Sequence, residues 1–161
     1  MLRSDESALR APQPGLSDVD ELVAGSRRAG VRLTYHVTGT EQDVPGAVQV
    51  CAYRLVQEAL SNATRHAAGG PVDVTVEVTP DRVGLRVHNG PGTDRGPAVR
   101  RAGGSGHGLV GMRERVALLG GELHLGPDPD GGFTVAADLP VAVPAPAGVG
   151  PEYDAGSGST G

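Results

Sequence analysis

The sequence predicts an α+β domain with helices packed on a sheet, and three observations point there. Tyr53 to His66 carries apolar residues at helical spacing, with Leu55, Ala59 and Ala63 four apart and Val56 and Leu60 beside them. Val72 to Val78 and Val83 to Val87 each alternate apolar and polar residues, and the Pro80-Asp81 turn between them makes an antiparallel hairpin. Along the chain, helix, strand and long helix are followed by strand, strand, glycine-rich loop, helix, strand and strand.

Met1 to Pro14 is polar and proline-bearing, so residues 1–15 read as a linker or the tail of a preceding helix. Ser17 is the expected N-cap of a helix over Asp18 to Arg28, with acidic residues in its first turn, Arg27 and Arg28 in its last, and Gly30 as its stop. Val31 to Val37 alternates strictly, which predicts a strand with Val31, Leu33, Tyr35 and Val37 inward and His36 solvated. Pro45 and Gly46 open the long helix, expected from Ala47 to Ala67 or Ala68. Leu109 to Leu119 reads as the last helix, ended by Gly120 and Gly121. Leu123 to Leu125 and Phe133 to Leu139 supply two more strands across the turn at Pro127-Asp-Pro-Asp-Gly-Gly. After Val141 the chain is Pro, Ala, Gly and Ser with little to bury, so residues 141–161 are expected to be a disordered tail.

Composition narrows the chemistry. The chain has 161 residues, enough for one domain of ordinary size with a real core. Lys, Ile and Trp are absent and all 14 basic residues are Arg, which excludes a P-loop lysine, a protein-kinase strand lysine and a Schiff-base lysine. Any nucleotide phosphates must then be held by backbone amides, Arg, His and metal. The net charge of −5 belongs largely to the termini, and no basic stripe is present, so direct nucleic-acid binding is not expected. The single Cys51 rules out an internal disulfide and reads as a buried thiol. With neither signal peptide nor membrane span, the chain fits a reducing cytoplasm.

The candidate chemistry starts on the polar side of the long helix, where Glu58, Asn62 and His66 are four apart. A carboxylate, an amide oxygen and an imidazole stacked turn by turn offer oxygen ligands for Mg²⁺ and a proton acceptor. Most amphipathic helices carry such a stripe only for solubility. A second segment changes the balance. Gly104-Ser-Gly-His-Gly precedes Leu-Val-Gly-Met-Arg-Glu-Arg, and its alternate glycines let backbone amides turn toward an anion at the start of a helix.

Together these segments resemble the catalytic ATP-binding domain of bacterial two-component sensor histidine kinases, in the superfamily that also holds gyrase, heat-shock chaperone and mismatch-repair ATPases. Gln57 to Ala67 is similar to the family's N box, and Gly104 to Leu109 followed by Gly111-Met112-Arg113-Glu114-Arg115 to its second glycine box. The Gly-Leu-x-Gly-Met-x-Glu-Arg phrase is most similar to the nitrate-sensor-like subfamily. The resemblance spans residues 16–140 and implies a two-layer α+β sandwich, with a mixed, mostly antiparallel sheet covered on one face by helices.

It also implies roles. Asn62 holds Mg²⁺, and Glu58 accepts a proton from, or orients, an attacking imidazole, with His66 as a further catalytic candidate. Arg65 and His66 sit near the phosphates, while Gly104, Gly106, His107, Gly108 and Leu109 form the phosphate cradle. Asn89, Gly90 and Gly92 take the place of the first glycine box, where the family usually begins with an Asp that accepts from the adenine amino group. Asn89 accepts without charge assistance, a change of about 1 kcal/mol. The loop from Asn89 to Gly106 is the family's lid, with Arg95, Arg100 and Arg101 near phosphate or simply solvated.

None of the five histidines precedes an acidic residue in a helix as the family's phosphoacceptor does. The expected reaction is therefore transfer of the ATP γ-phosphoryl group to a histidine on a separate dimerisation domain, for relay to a DNA-binding response regulator. The parent is expected to be a homodimer, membrane-anchored through an N-terminal part, and this piece a monomer that does not phosphorylate itself. An anti-sigma-factor-like serine kinase and a non-catalytic interaction module of the same fold are the rival readings.

Overall fold

The computed structural model describes residues 12–66, 69–92 and 107–141. A 3-10 turn at Leu16–Asp18 leads into helix α1 (Val19–Arg28), then strand β1 (Leu33–Thr38), helix α2 (Gly46–His66), β2 (Val72–Val78), β3 (Arg82–Asn89), helix α3 (His107–Leu118), β4 (Glu122–Pro127) and β5 (Phe133–Pro140). The strands form one sheet in the order β1-β2-β3-β5-β4. Only β1 and β2 are parallel, with Leu33 opposite Val72, and α2 is the crossover that a parallel pair requires. Every other pair is antiparallel, so the expected mixed, mostly antiparallel sheet is present.

Period-2 burial puts the helices on one face of this sheet. Val72, Val74 and Val76 of β2, Val83, Leu85 and Val87 of β3, and Val135, Ala137 and Leu139 of β5 are buried. Onto them α2 turns Val48, Cys51, Ala52, Leu55, Val56, Ala59, Leu60 and Ala63, all buried, and α3 turns Met112 and Val116. The opposite face is polar. There Arg82 lies between Glu77 at 3.3 Å and Asp138. Burial pushes the Cys51 thiol pKa up, as suits an inert core cysteine.

Glycines allow the tight exits. Gly30 follows α1 at φ 92° and Gly120 follows α3 at φ 73°, conformations that side chains disfavour. Two details differ from the sequence expectation. Ser17 does not cap α1: it lies within the 3-10 turn, where the Gly15 amide donates to Asp18 Oδ2 at 2.7 Å and the Asp18 amide to the Gly15 carbonyl. Val37 is not inward. It is 54% exposed, because β1 is an edge strand whose far end extends past the helical cover.

Tyr35, half-buried on β1, faces Asp20 of α1. Burial first, then the Asp20 carboxylate, raise its phenol from 10.0 to about 12. A folded pKa above the unfolded one means a contribution that is full below pH 10 and lost as pH rises toward 12. Melting temperature is expected to fall across that window, and to fall less in Tyr35→Phe; an identical fall in both proteins would remove Tyr35 as the cause.

Candidate functional site

The candidate site lies where the C-terminal half of α2 meets the first turn of α3. With the Leu55, Ala59 and Ala63 side of α2 buried, the helical period leaves Glu58 and Asn62 at the boundary between core and solvent, and both are partly buried. Glu58 reaches across to α3: a Cβ at position 108 would collide with its carboxylate, with Cδ only 2.9 Å away. Gly108 thus leaves room for the end of the Glu58 side chain against the start of α3, which a Cβ there would displace. The carboxylate sits by the N-terminal end of α3, where exposed amides and the helix dipole favour negative charge.

Among the described residues Asn62 makes no side-chain hydrogen bond, leaving an amide oxygen available as a ligand. Arg65 is exposed, and its Nη2 donates to Ser61 Oγ at 2.8 Å. His66 closes α2 and His107 opens α3, so their backbones frame the junction. Leu109 is half-buried and packs on the core beneath it.

Asn89 is the last residue of β3, in phase with the buried Val83, Leu85 and Val87, so it belongs to the helix-covered side. Its register partners are Val72 and Phe133. Gly90 and Gly70 have a packing reason to be glycine. A Cβ on Gly90 would come within 3.0 Å of the Pro71 ring, and one on Gly70 within 2.9 Å of the Pro91 carbonyl oxygen. Gly92 is exposed. Gly104, Gly106 and the lid arginines Arg95, Arg100 and Arg101 lie outside the described residues.

The N-box helix and the helix of the second glycine box are therefore neighbours, as the resemblance requires. Residues 47–143 match the family described as histidine kinase-, DNA gyrase B- and HSP90-like ATPase, more than half of the chain. The chain belongs to this ATPase family. It is 34% identical over 113 residues to the signal transduction histidine-protein kinase/phosphatase DegS of Brevibacillus brevis, covering 70% of this chain and 28% of that protein. It is 30% identical over 115 residues to the oxygen sensor histidine kinase NreB of Staphylococcus carnosus, covering 70% of this chain and 32% of the relative. The chain thus spans about a third or less of these relatives. Among solved structures, the histidine kinase domain of the Erythrobacter litoralis EL346 blue-light activated kinase superposes with a TM-score of 0.58 at 22% identity, over 78% of this chain and 60% of that one. The catalytic domain of histidine kinase ThkA gives 0.53 at 14%, over 76% and 93%. Both share the fold. Among the described residues no helix is long and apolar enough to cross a membrane.

Two features were not found in the sequence. A cavity of about 730 Å³ opens at the other end of the α2–α3 pair, between Gly46, Val50, Cys51, Arg54, Arg115 and Leu118. It is mostly apolar and far along α2 from Asn62, so it is not the candidate ATP site. The second feature lies on the open sheet face, where His88 meets Asp128 at 2.9 Å. Hydrogen bonding from Thr134, more than that from His88, holds the Asp128 carboxyl below its usual range. The Asp-Pro-Asp spacing is its one signal in the sequence, and by itself it marks only a turn.

Gly108→Ala is expected to cost less than about 1 kcal/mol, since displacing the flexible end of the Glu58 side chain is offset by better helix propensity. The cost should shrink in a Glu58→Ala background. Denaturant unfolding of the four proteins measures this; additive effects would show that the two residues do not touch.

Proposed function

We propose that this chain is the ATP-binding catalytic unit of a two-component sensor histidine kinase, passing the γ-phosphoryl group of Mg²⁺-ATP to a histidine on its own separate dimerisation domain. The observation that carries this is the meeting of Glu58 with the start of α3 at Gly108, with Asn62 one turn further along α2. The donor set fits the group. Asn62 offers an oxygen ligand, Gly108 adds no side chain of its own beside Glu58 at the start of α3, and no lysine competes for the role.

In this reading Asn62 holds Mg²⁺, which when bound neutralises charge on the phosphates. Glu58 orients or deprotonates the incoming imidazole. The amides at Gly106, His107 and Gly108 receive the phosphates, with Gly104 and Leu109 shaping the turn and Arg65 and His66 contributing charge beside them. At the other end Asn89 accepts a hydrogen bond from the adenine amino group, flanked by Gly90 and Gly92. A response regulator, of the DNA-binding kind, takes the phosphoryl group onward. The parent works as a homodimer with this unit in the cytoplasm. The sensor and oxygen-sensor names of the relatives support this reading over a serine kinase or a non-catalytic module.

Asn62→Ala and Asn62→Asp are expected to abolish the strengthening of ATP-analogue affinity by Mg²⁺, at least tenfold, while the circular dichroism spectrum is unchanged. Mg²⁺-dependence equal to that of the unsubstituted chain would remove Asn62 from the metal role.

Restoring the charged acceptor with Asn89→Asp should tighten binding of the adenine nucleotide roughly five- to tenfold, about 1 kcal/mol. An unchanged affinity would mean that Asn89 does not meet the base.

A further inference from the structure

We propose that His88, Asp128 and Asp130 form a binding site for a divalent transition-metal ion of the zinc class, on the sheet face opposite the helices. His88 is out of phase with the buried residues of β3, so its side chain leaves on the open face, directly across from Thr134 of β5. The β4–β5 turn then brings one carboxylate to each ring nitrogen. His88 Nδ1 is 2.9 Å from Asp128 Oδ2 and Nε2 is 3.2 Å from Asp130 Oδ2. One ligand atom from each residue lies within 4.8 Å of the others.

The groups are held rather than merely near. The Asp128 amide donates to the Gly132 carbonyl at 2.9 Å and the Gly131 amide to the Asp128 carbonyl at 3.0 Å, closing the turn. Thr134 Oγ1 donates to Asp128 Oδ2 at 2.5 Å, and the Gly132 amide to Asp130 Oδ1 at 2.8 Å, which leaves Asp130 Oδ2 free to face the imidazole. His88 and Asp128 are only 16% and 26% exposed, so little side-chain freedom remains to be lost on binding. Hydroxyl and amide donors that orient ligating carboxylates are the usual support of a metal centre.

The ligand types select the ion. One imidazole nitrogen with two carboxylate oxygens suits Zn²⁺ and its neighbours, leaving a position for water, whereas Mg²⁺ and Ca²⁺ favour all-oxygen sets. Two carboxylates facing one imidazole also leave an excess of negative charge that a divalent ion offsets. The site is separate from the candidate ATP site yet adjoins it through the backbone. His88 precedes Asn89, and Gly132 packs against the Asn89 carbonyl so closely that a Cβ there would collide with it. An ion bound here ties the β4–β5 turn to the end of β3 that carries Asn89.

The test is calorimetric titration of the chelator-treated chain with Zn²⁺, with Co²⁺ as an optical probe of the ligand field. One ion per chain in the micromolar range, with a raised melting temperature, is expected. Asp130→Asn, at a half-exposed turn position where folding is not at stake, should weaken binding at least tenfold, and His88→Ala more. His36→Ala and His124→Ala, on exposed strand positions, should leave it unchanged. No uptake, or uptake that survives both Asp130→Asn and His88→Ala, would overturn the proposal. Neither result decides whether the chain binds ATP, which is measured separately on the helix-covered side.

Discussion

Eight residues of α2, from Val48 to Ala63, turn onto the sheet, and that burial fixes the rotation of the helix about its own axis. Each fully buried Leu or Val contributes about 1.5–3 kcal/mol relative to exposure, so turning the helix by even one residue would cost several such contributions and bury Glu58 or Asn62 instead. The rotation is therefore not adjustable, and it determines what the polar edge presents. Glu58 stands toward α3, and Asn62 follows one turn later on the same polar edge, because the residues beside them are committed to the core. α3 comes close because its own anchors, Met112 and Val116, are buried in the same core.

The sheet does the same for the other end of the site. β3 is central, paired with β2 on one side and β5 on the other, and its period-2 alternation runs unbroken to Asn89. One phase gives the core residues and then Asn89. The other gives Arg82, Arg86 and His88 on the open face. A single strand thus delivers a candidate base contact to one side and a candidate metal ligand to the other, one residue apart.

Most of this layout was legible in the sequence because it rests on local periods. The long helix, the hairpin at Pro80-Asp81 and the last helix all stand within a residue or two of their expected bounds. Misreadings occurred where a local signal was overruled by its surroundings. Ser17 looked like a cap, but the chain tightens one residue earlier through Gly15 and Asp18. Val37 continued an alternating strand, but the helical cover ends before it. What no local pattern carries is contact between distant segments. His88 and Asp128 are 40 positions apart, and the neighbouring glycines Gly70 and Gly90 lie in the turns after α2 and β3. Family resemblance bridged one such gap, between the N box and the second glycine box, because the two motifs are known together. It offered nothing for the open face.

The central claim is that nucleotide binds on the helix side of the sheet, between Asn62, the first turn of α3 and Asn89. Mapping backbone amide shifts by NMR while titrating the chain with Mg²⁺ and a non-hydrolysable ATP analogue tests it directly. The account predicts the largest changes at Glu58 to Asn62, Asn89 to Gly92 and Gly108 to Met112, with the open face nearly silent. Changes centred instead on the apolar cavity by Cys51, Arg115 and Leu118, or none at millimolar nucleotide, would contradict it.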